Sequence, residues 1–422
     1  MSAVTNELLD RFLRYVNIPS QSMAGGGMPP SSPAQWHMAQ QLEAELELMD
    51  LEDLQTSKQC VLTGYLPANL PENCHEAVPK IGFCCHLDTA DVNLSPMIHP
   101  HVVKAYPGGD VVLNPQKHIV MKAAEHPELM PHIGEDIVFT DGTSVLGADN
   151  KAAIANVMTM LHTLYTHPEI YHGDIYVAFV PDEEVGLKGS KALDFSRFPV
   201  DFAYTIDSCE VGELVYETFN AGTASIDIQG VSAHPMNAKG NLVNPALLAV
   251  DFVNFFDRKE TPECTEGREG YIWVKTIRSN ASRAEVTLAI RDHDKEKYEA
   301  KKQTVLANVK KLKAQEPRAR VRCEIEDLYG NIADAITPEN KKAIDLLFTA
   351  MESLQITPKP LAMRGGTDGS FISTKGILTP NYFTGGLNFH SKYECLPVPS
   401  LEKSYEVTMK LVQLVYESRQ KR

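Results

Sequence analysis

The sequence has no CxxC pair. Its eight cysteines, at positions 60, 74, 84, 85, 209, 264, 323 and 395, form no small-domain disulfide framework. They read as reduced thiols, the usage of a cytoplasmic protein. Long apolar runs are missing too: none reaches the ~18 residues that a membrane span needs. The first ten residues carry Glu7 and Asp10 where a signal peptide would have an apolar centre. Positive charge is in deficit, with 40 Lys and Arg against 55 Asp and Glu, for a net charge of −15. With no dense Lys/Arg cluster, that balance argues against a nucleic-acid partner or an anionic membrane surface, and it reads as solubility. There is no internal repeat and no low-complexity segment. What remains is ordinary for a globular protein, 43% hydrophobic and 23% charged. At 422 residues two domains are expected.

The most informative stretch is 174–186. Its first half, Ile175-Tyr176-Val177-Ala178-Phe179-Val180, is a continuous apolar run, as in a strand buried on both faces of a parallel sheet. It stops at Pro181 and is followed by Asp182, Glu183 and Glu184, then a turn at Gly186. On its own such a triplet is an ordinary acidic loop. Held at the end of a buried strand, it needs a cation nearby or a retained proton.

Other segments end in the same way. The strand 81–85 runs into His86-Leu87-Asp88-Thr89, and the strand 202–206 ends in Asp207. Asp149 stands just before an amphipathic helix marked by Ile154, Val157, Met158 and Leu161, where an Asp is most often an N-cap. Open α/β sheets place their sites outside the carboxyl ends of strands, so these residues can meet. Helices are expected from about 5 to 15, from 33 to 49, from 338 to 354 and from 401 to 418. The stretch 92–134 is rich in Pro and His and reads as an irregular surface excursion. His99, His101, His118, His126 and His132 in it have no regular spacing or neighbouring acids and read as solvated loop histidines.

From about residue 220 the pattern changes to β-α-β-β-α-β, a small sandwich of helices on an antiparallel sheet. The expected fold is therefore α/β, with a mixed, mostly parallel sheet flanked by helices and an inserted ferredoxin-like α+β domain. The parts are 1–218, the insert 219–326, and 327–422. Gathered at these ends, His86, Asp88, Asp149, Glu183, Glu184, Asp207 and the late His390 offer two imidazoles with three or four carboxylates as ligands, a set suited to one or two zinc-like divalent cations. Such a pair would neutralise the acids and lower the pKa of a bridging water.

Several motifs, in order, resemble the dinuclear-zinc peptidases related to aminoacylases and glutamate-releasing carboxypeptidases. They are His86-Leu87-Asp88-Thr89, Gly147-Ala148-Asp149-Asn150-Lys151-Ala152, Pro181-Asp182-Glu183-Glu184-Val185-Gly186, Thr205-Ile206-Asp207, Ser232-Ala233-His234-Pro235 and His390. Arg291-Asp292-His293-Asp294, Arg364-Gly365-Gly366-Thr367-Asp368-Gly369 and Phe383-Thr384-Gly385-Gly386 are similar to the tripeptide-aminopeptidase branch of that group. The resemblance implies two zinc ions per subunit, one on His86, Asp149 and Asp207 and one on His390, Asp149 and Glu184. It implies Asp88 orienting His86, Glu183 as general base for the bridging water, and His234 as an oxyanion donor. Arg291, Arg364 and Asn244 would bind a short peptide, the two arginines through its carboxylate, though each arginine could equally be a plain structural pair. The insert would be a lid or a dimerisation domain, making a homodimer possible. Departures fall at Ser208-Cys209-Glu210, Met236-Asn237, Leu387 and Ser391-Lys392-Tyr393-Glu394 and bear on substrate preference. Two other readings stay open: a dinuclear-metal dipeptidase or N-acyl amino acid amidohydrolase, and a catalytically silent dimeric scaffold.

Overall fold

Two runs with the character of doubly buried strands, Ile81–His86 and Ile175–Val180, lie side by side and parallel, with His86 opposite Val180. A computed structural model of the chain, describing residues 2–25, 27–74 and 76–421, puts them at the centre of an eight-stranded sheet. The spatial order is Glu52–Thr56, Leu62–Leu66, Ile175–Val180, Ile81–His86, Phe202–Ser208, Asn381–Phe383, Glu213–Thr218 and Lys359–Met363. The four strands from Ile175–Val180 to Asn381–Phe383 are parallel, and antiparallel strands flank them. Both faces are covered. The helix Ala148–Thr166 packs on Ile81–His86 and Phe202–Ser208 and is itself covered by Ala3–Val16 and Val398–Glu417. Ala152, Ala153 and Ala155 on it are fully buried, small enough to let the helix lie close. On the other face Phe198, Leu193 and Ile372 pack with Cys84, Ala178 and Ala203. Burial on both sides is why these strands read as unbroken apolar runs. Their carboxyl ends, at His86, Val180 and Asp207, share one edge of the sheet.

The chain divides into two compact units. The first comprises Met1–Tyr216, Ile336–Leu361 and Thr367–Arg422, and the second Glu217–Ala335 with Ala362–Gly366. In the second, the strands Asn220–Gln229, Tyr271–Ser279, Arg283–Asp292 and Arg320–Tyr329 alternate with the helices Pro245–Val253 and Lys295–Gln315. The sheet is antiparallel throughout, with Arg283–Asp292 and Asn220–Gln229 in the middle, which is the ferredoxin-like arrangement. Ala224, Ile226 and Ile228 alternate inward to meet Leu248, Phe252, Val305, Val309 and Leu312 from the helices. The last strand continues past 326, pairing with the first as far as Tyr329 opposite Ala221, with a register shift between Gly222 and Ala221.

One expectation is corrected. The stretch 92–134 is not an irregular excursion. Pro100–Val103 joins Ile137–Thr140 and Cys395–Pro397 in a three-stranded sheet, and Val111–Asn114 pairs with Ile119–Met121. Tyr106, Leu113, Met121, Leu129 and Phe139 give it a core that includes Leu387 and Cys395. Nor do its histidines lack acid neighbours. His126 pairs with Glu128 at 2.8 Å and His132 with Glu135 at 2.7 Å. All eight cysteines are free. Among the described residues no helix is long and apolar enough to cross a membrane.

Candidate active site

Asp149 is the centre of the arrangement. It lies in the first turn of Ala148–Thr166, but its backbone is not helical (φ −83°, ψ 101°), and the peptide bond to Asn150 is cis. Gly147, two residues before it, takes a left-handed φ of 77°. The turn is held from below by Glu394, whose buried carboxylate accepts the backbone N–H groups of Leu146, Gly147 and Asp149 at 2.7, 2.9 and 3.1 Å. Asp149 is therefore no helix cap. Its two oxygens are turned to two imidazoles, Oδ1 accepting from His86 Nε2 and Oδ2 from His390 Nε2, both at 2.9 Å.

The neighbouring loops complete the group. His390 Nε2 also lies 2.8 Å from Glu184 Oε1, and His86 Nε2 lies 3.7 Å from Asp207 Oδ1. His390, with a left-handed φ of 57°, comes from the loop between Asn381–Phe383 and Cys395–Pro397. Asn150 ties the strand ends together: its Oδ1 accepts from His86 N, and its Nδ2 donates to Ile206 O and Asp207 Oδ1. All five residues expected at a metal pair are thus brought to one place. Glu183, the expected base, follows the same strand as Glu184.

Asp88 lies against His86 Nδ1. His86 Nδ1 donates to the backbone carbonyl of Asp88 at 3.0 Å and lies only 3.4 Å from its carboxylate. The carboxylate itself accepts the N–H groups of Glu183 at 3.0 Å and Glu184 at 3.2 Å. The carbonyl sets the tautomer of His86, leaving Nε2 to face the cluster, while the carboxylate clamps the acidic turn.

Charge in this pocket is frustrated in a way that points to a cation. Burial and the negative charge of Asp149 push Glu184 up to about 8 and Asp207 up to about 6. Burial likewise raises Glu183 well above the carboxylate range, with Glu184, Asp207 and Asp368 adding repulsion. Hydrogen bonds to Asp149 and Glu184 lift His390 to about 11. For His86, burial pulls down, but hydrogen bonds to Asp149, Asp207 and Asp88 prevail and the direction is up. The donor atoms of His86, Asp149 and Glu184 all lie within 4.8 Å of one another. Ligands of a tetrahedral zinc at its usual bond lengths would sit about 3.3 Å apart, close to the 2.8–3.7 Å seen among these groups. The residues fit a divalent-cation pair.

The remaining expected residues belong to the second unit. His234 is exposed at the start of a short turn, and its Nδ1 accepts from Met236 N at 3.3 Å. Asn244 caps the helix Pro245–Val253, its Oδ1 accepting from Ala246 N. Arg291 donates to the carbonyls of Gly222 and Ile290. Arg364 donates to the carbonyls of Gly267 and Glu269 and to Thr265 Oγ1, and it stacks on Phe219 and Tyr271. Both arginines thus bond backbone carbonyls of their own unit.

Asn150 and Glu394 were quoted from sequence only within longer segments, without these roles. The only hint for Glu394 is an acid leading into an apolar run, Cys395-Leu396-Pro397-Val398. Asp368, quoted in a motif without a role, is buried, with an oxygen that has no hydrogen-bond partner among the described residues.

Comparison with known proteins places this geometry. The sequence profile of peptidase family M20/M25/M40 matches residues 147–414. A peptidase T-like protein of Rhizobium meliloti is 51% identical over 97% of this chain and 98% of its own length. The peptidase T of Fusobacterium nucleatum is 42% identical over 96% and 97%. The crystal structure of aminopeptidase PepT from Bacillus cereus superposes with a TM-score of 0.75 at 20% identity, covering 98% of this chain and 99% of that one.

Proposed function

Because this chain belongs to peptidase family M20/M25/M40, and so is a peptide-bond hydrolase, we propose that it is a metal-dependent aminopeptidase that removes the N-terminal residue of tripeptides. The observation that carries the metal reading is Asp149, with one oxygen turned to each of two imidazoles. His86, Asp149 and Asp207 would hold one divalent cation, and His390, Asp149 and Glu184 the other. The mixed nitrogen and oxygen set suits zinc. When bound, the pair would polarise the scissile carbonyl and make a water acidic enough to attack near neutral pH.

This chain's own residues supply the rest. Glu183, next to a ligand and with a carboxylate that makes no hydrogen bond to the His–Asp group among the described residues, takes the proton of the attacking water. It then delivers that proton to the departing amine. Asp88 keeps Glu183 and Glu184 in place through their backbone. His234, accepting at Nδ1 from Met236 N, carries its proton on Nε2 and would donate to the oxyanion. Arg291 and Asn244 would contact the peptide with the donors left to them by their structural bonds. Arg364 would act by shaping the loop 265–269. The similarity to proteins named peptidase T supports the tripeptide preference.

A panel of di-, tri- and tetrapeptides, with free or blocked amino termini, tests the reading. Hydrolysis of free-amino tripeptides above the others, abolished by chelation, is the expected result. Preference for blocked substrates would establish the N-acyl amidohydrolase reading. No turnover of any peptide with the metals restored would favour the scaffold.

A further inference from the structure

The third acid of the run, Asp182, takes no part in the cluster. Its φ of 59° turns it out of line with Glu183 and Glu184, and it is fully buried against the N-terminal part of the chain. There its carboxylate accepts from Ser31 N at 2.6 Å, Ser31 Oγ at 2.5 Å and Gln35 Nε2 at 2.7 Å. In return, Asp182 N donates to Gln35 Oε1 at 3.0 Å. Gln35 and Asp182 thus form a closed two-bond ring, side chain to side chain and side chain to backbone, with no solvent exposure on either residue.

The same N-terminal segment is fastened to the other side of the site. Ser22 N donates to Thr89 O at 3.1 Å and Thr89 N to Ser20 O at 3.3 Å, three residues after His86. Ser32 Oγ donates to Gln21 O at 2.6 Å and Met23 N to Ser31 Oγ at 2.8 Å, so the two attachment points are joined to each other. The strand-end turn carrying His86 and Asp88 and the one carrying Glu183 and Glu184 are therefore linked twice. One link is direct, through the Asp88 carboxylate. The other runs round the back, from Thr89 through residues 20–22 and 31–35 to Asp182.

We propose that Gln35 and Ser31 are positioning residues for the hydrolytic reaction, acting through Asp182 to fix where the Glu183 carboxylate stands relative to the cation ligands. This rests on Glu183 being the base. Asp182 is one peptide unit from Glu183, so a change in its side-chain anchorage rotates the Glu183 backbone about the Asp88 clamp. A base displaced by an ångström loses rate without losing substrate affinity. A role confined to folding would lower stability and metal content and leave the turnover of the remaining folded enzyme unchanged.

The test compares Gln35→Glu, Ser31→Ala, Asp182→Asn, the double variant Gln35→Glu/Asp182→Asn, and Glu183→Gln in the full-length, metal-loaded protein. Each is measured for kcat, KM, metal per chain and melting temperature. Gln35→Glu opposes two carboxylates and is expected to lower kcat about ten- to a hundred-fold with KM within about twofold and metal content unchanged. Ser31→Ala, the milder variant, is expected to lower kcat severalfold in the same pattern. The double variant exchanges donor and acceptor, with the side-chain amide introduced at position 182 donating to the carboxylate introduced at position 35, and is expected to restore most of kcat. Wild-type kcat in Gln35→Glu and Ser31→Ala, beside an inactive Glu183→Gln, would overturn the positioning role alone. So would a loss of kcat that only tracks lost metal or lost fold and is not recovered in the double variant. Turnover retained in Glu183→Gln would overturn the base assignment itself and the inference with it.

Discussion

The backbone N–H of Glu183 donates to the Asp88 carboxylate at 3.0 Å, joining the turn after one central strand to the turn after its parallel neighbour. Glu184 N does the same to the second oxygen. One buried carboxylate thus sets the backbone of both acids. Asp88→Asn keeps the size but offers only one acceptor, so one of the two N–H groups loses its partner. With Glu184 as a ligand and Glu183 as the base, kcat/KM for a tripeptide is expected to fall about ten- to a hundred-fold, with the fold intact. Steady-state kinetics alongside circular dichroism checks this.

Glu394 holds the turn that presents Asp149. Glu394→Ala leaves the N–H groups of Leu146, Gly147 and Asp149 without their acceptor in a buried turn. Each unpaired buried group costs on the order of 1–3 kcal/mol. A loss of several kcal/mol in stability is expected, with weaker metal retention, because the bridging side chain rides on this turn. Denaturant unfolding and metal analysis after dialysis are the measurements.

Removing the shared ligand should affect both halves of the site. Asp149→Asn deletes the negative charge that both imidazoles face, and occupancy of both cations is expected to fall together. Asp207→Asn should impair only the half that includes His86. Metal per chain measured for the two variants distinguishes them. Equal, single-ion losses in both would contradict Asp149 as the bridge.

Away from the site, His172 is buried and donates from Nδ1 to Gly173 O, and burial holds its pKa below the ordinary value. A histidine kept neutral by folding binds fewer protons than in the unfolded chain. The unfolded state therefore gains as pH falls through the ordinary histidine pKa of about 6.5. Stability from this residue is complete above that pH and declines below it, until the folded pKa is passed. His172→Gln is expected to flatten the dependence of the melting temperature on pH between about 6.5 and 5. An unchanged slope would show that other groups dominate.

The candidate metal residues stand out in the sequence because strand ends and helix starts have strong local signatures. Apolar runs terminate abruptly at His86, Pro181 and Asp207, and the edge they share follows from parallel pairing. The second unit was legible for a related reason, since alternation such as Ala224, Ile226 and Ile228 marks one buried face. The strands within 92–134 were not, because they are only three or four residues long and one of them opens with Pro100 and His101. For Asp88 the sequence suggests a neighbour of His86, but not that its backbone carbonyl accepts from Nδ1. A carbonyl that orients a histidine leaves no trace in residue identity. Asp182 looked like one of three equivalent acids, and a single left-handed φ separates it from the other two.

Zinc titration of the chelated protein, with tripeptide hydrolysis followed in parallel, tests the dinuclear site most directly. Uptake of two equivalents per chain, with turnover returning as the sites fill, is the expected outcome. Tripeptide turnover that survives chelation, or binding of zinc that requires neither His86 nor His390, would contradict it.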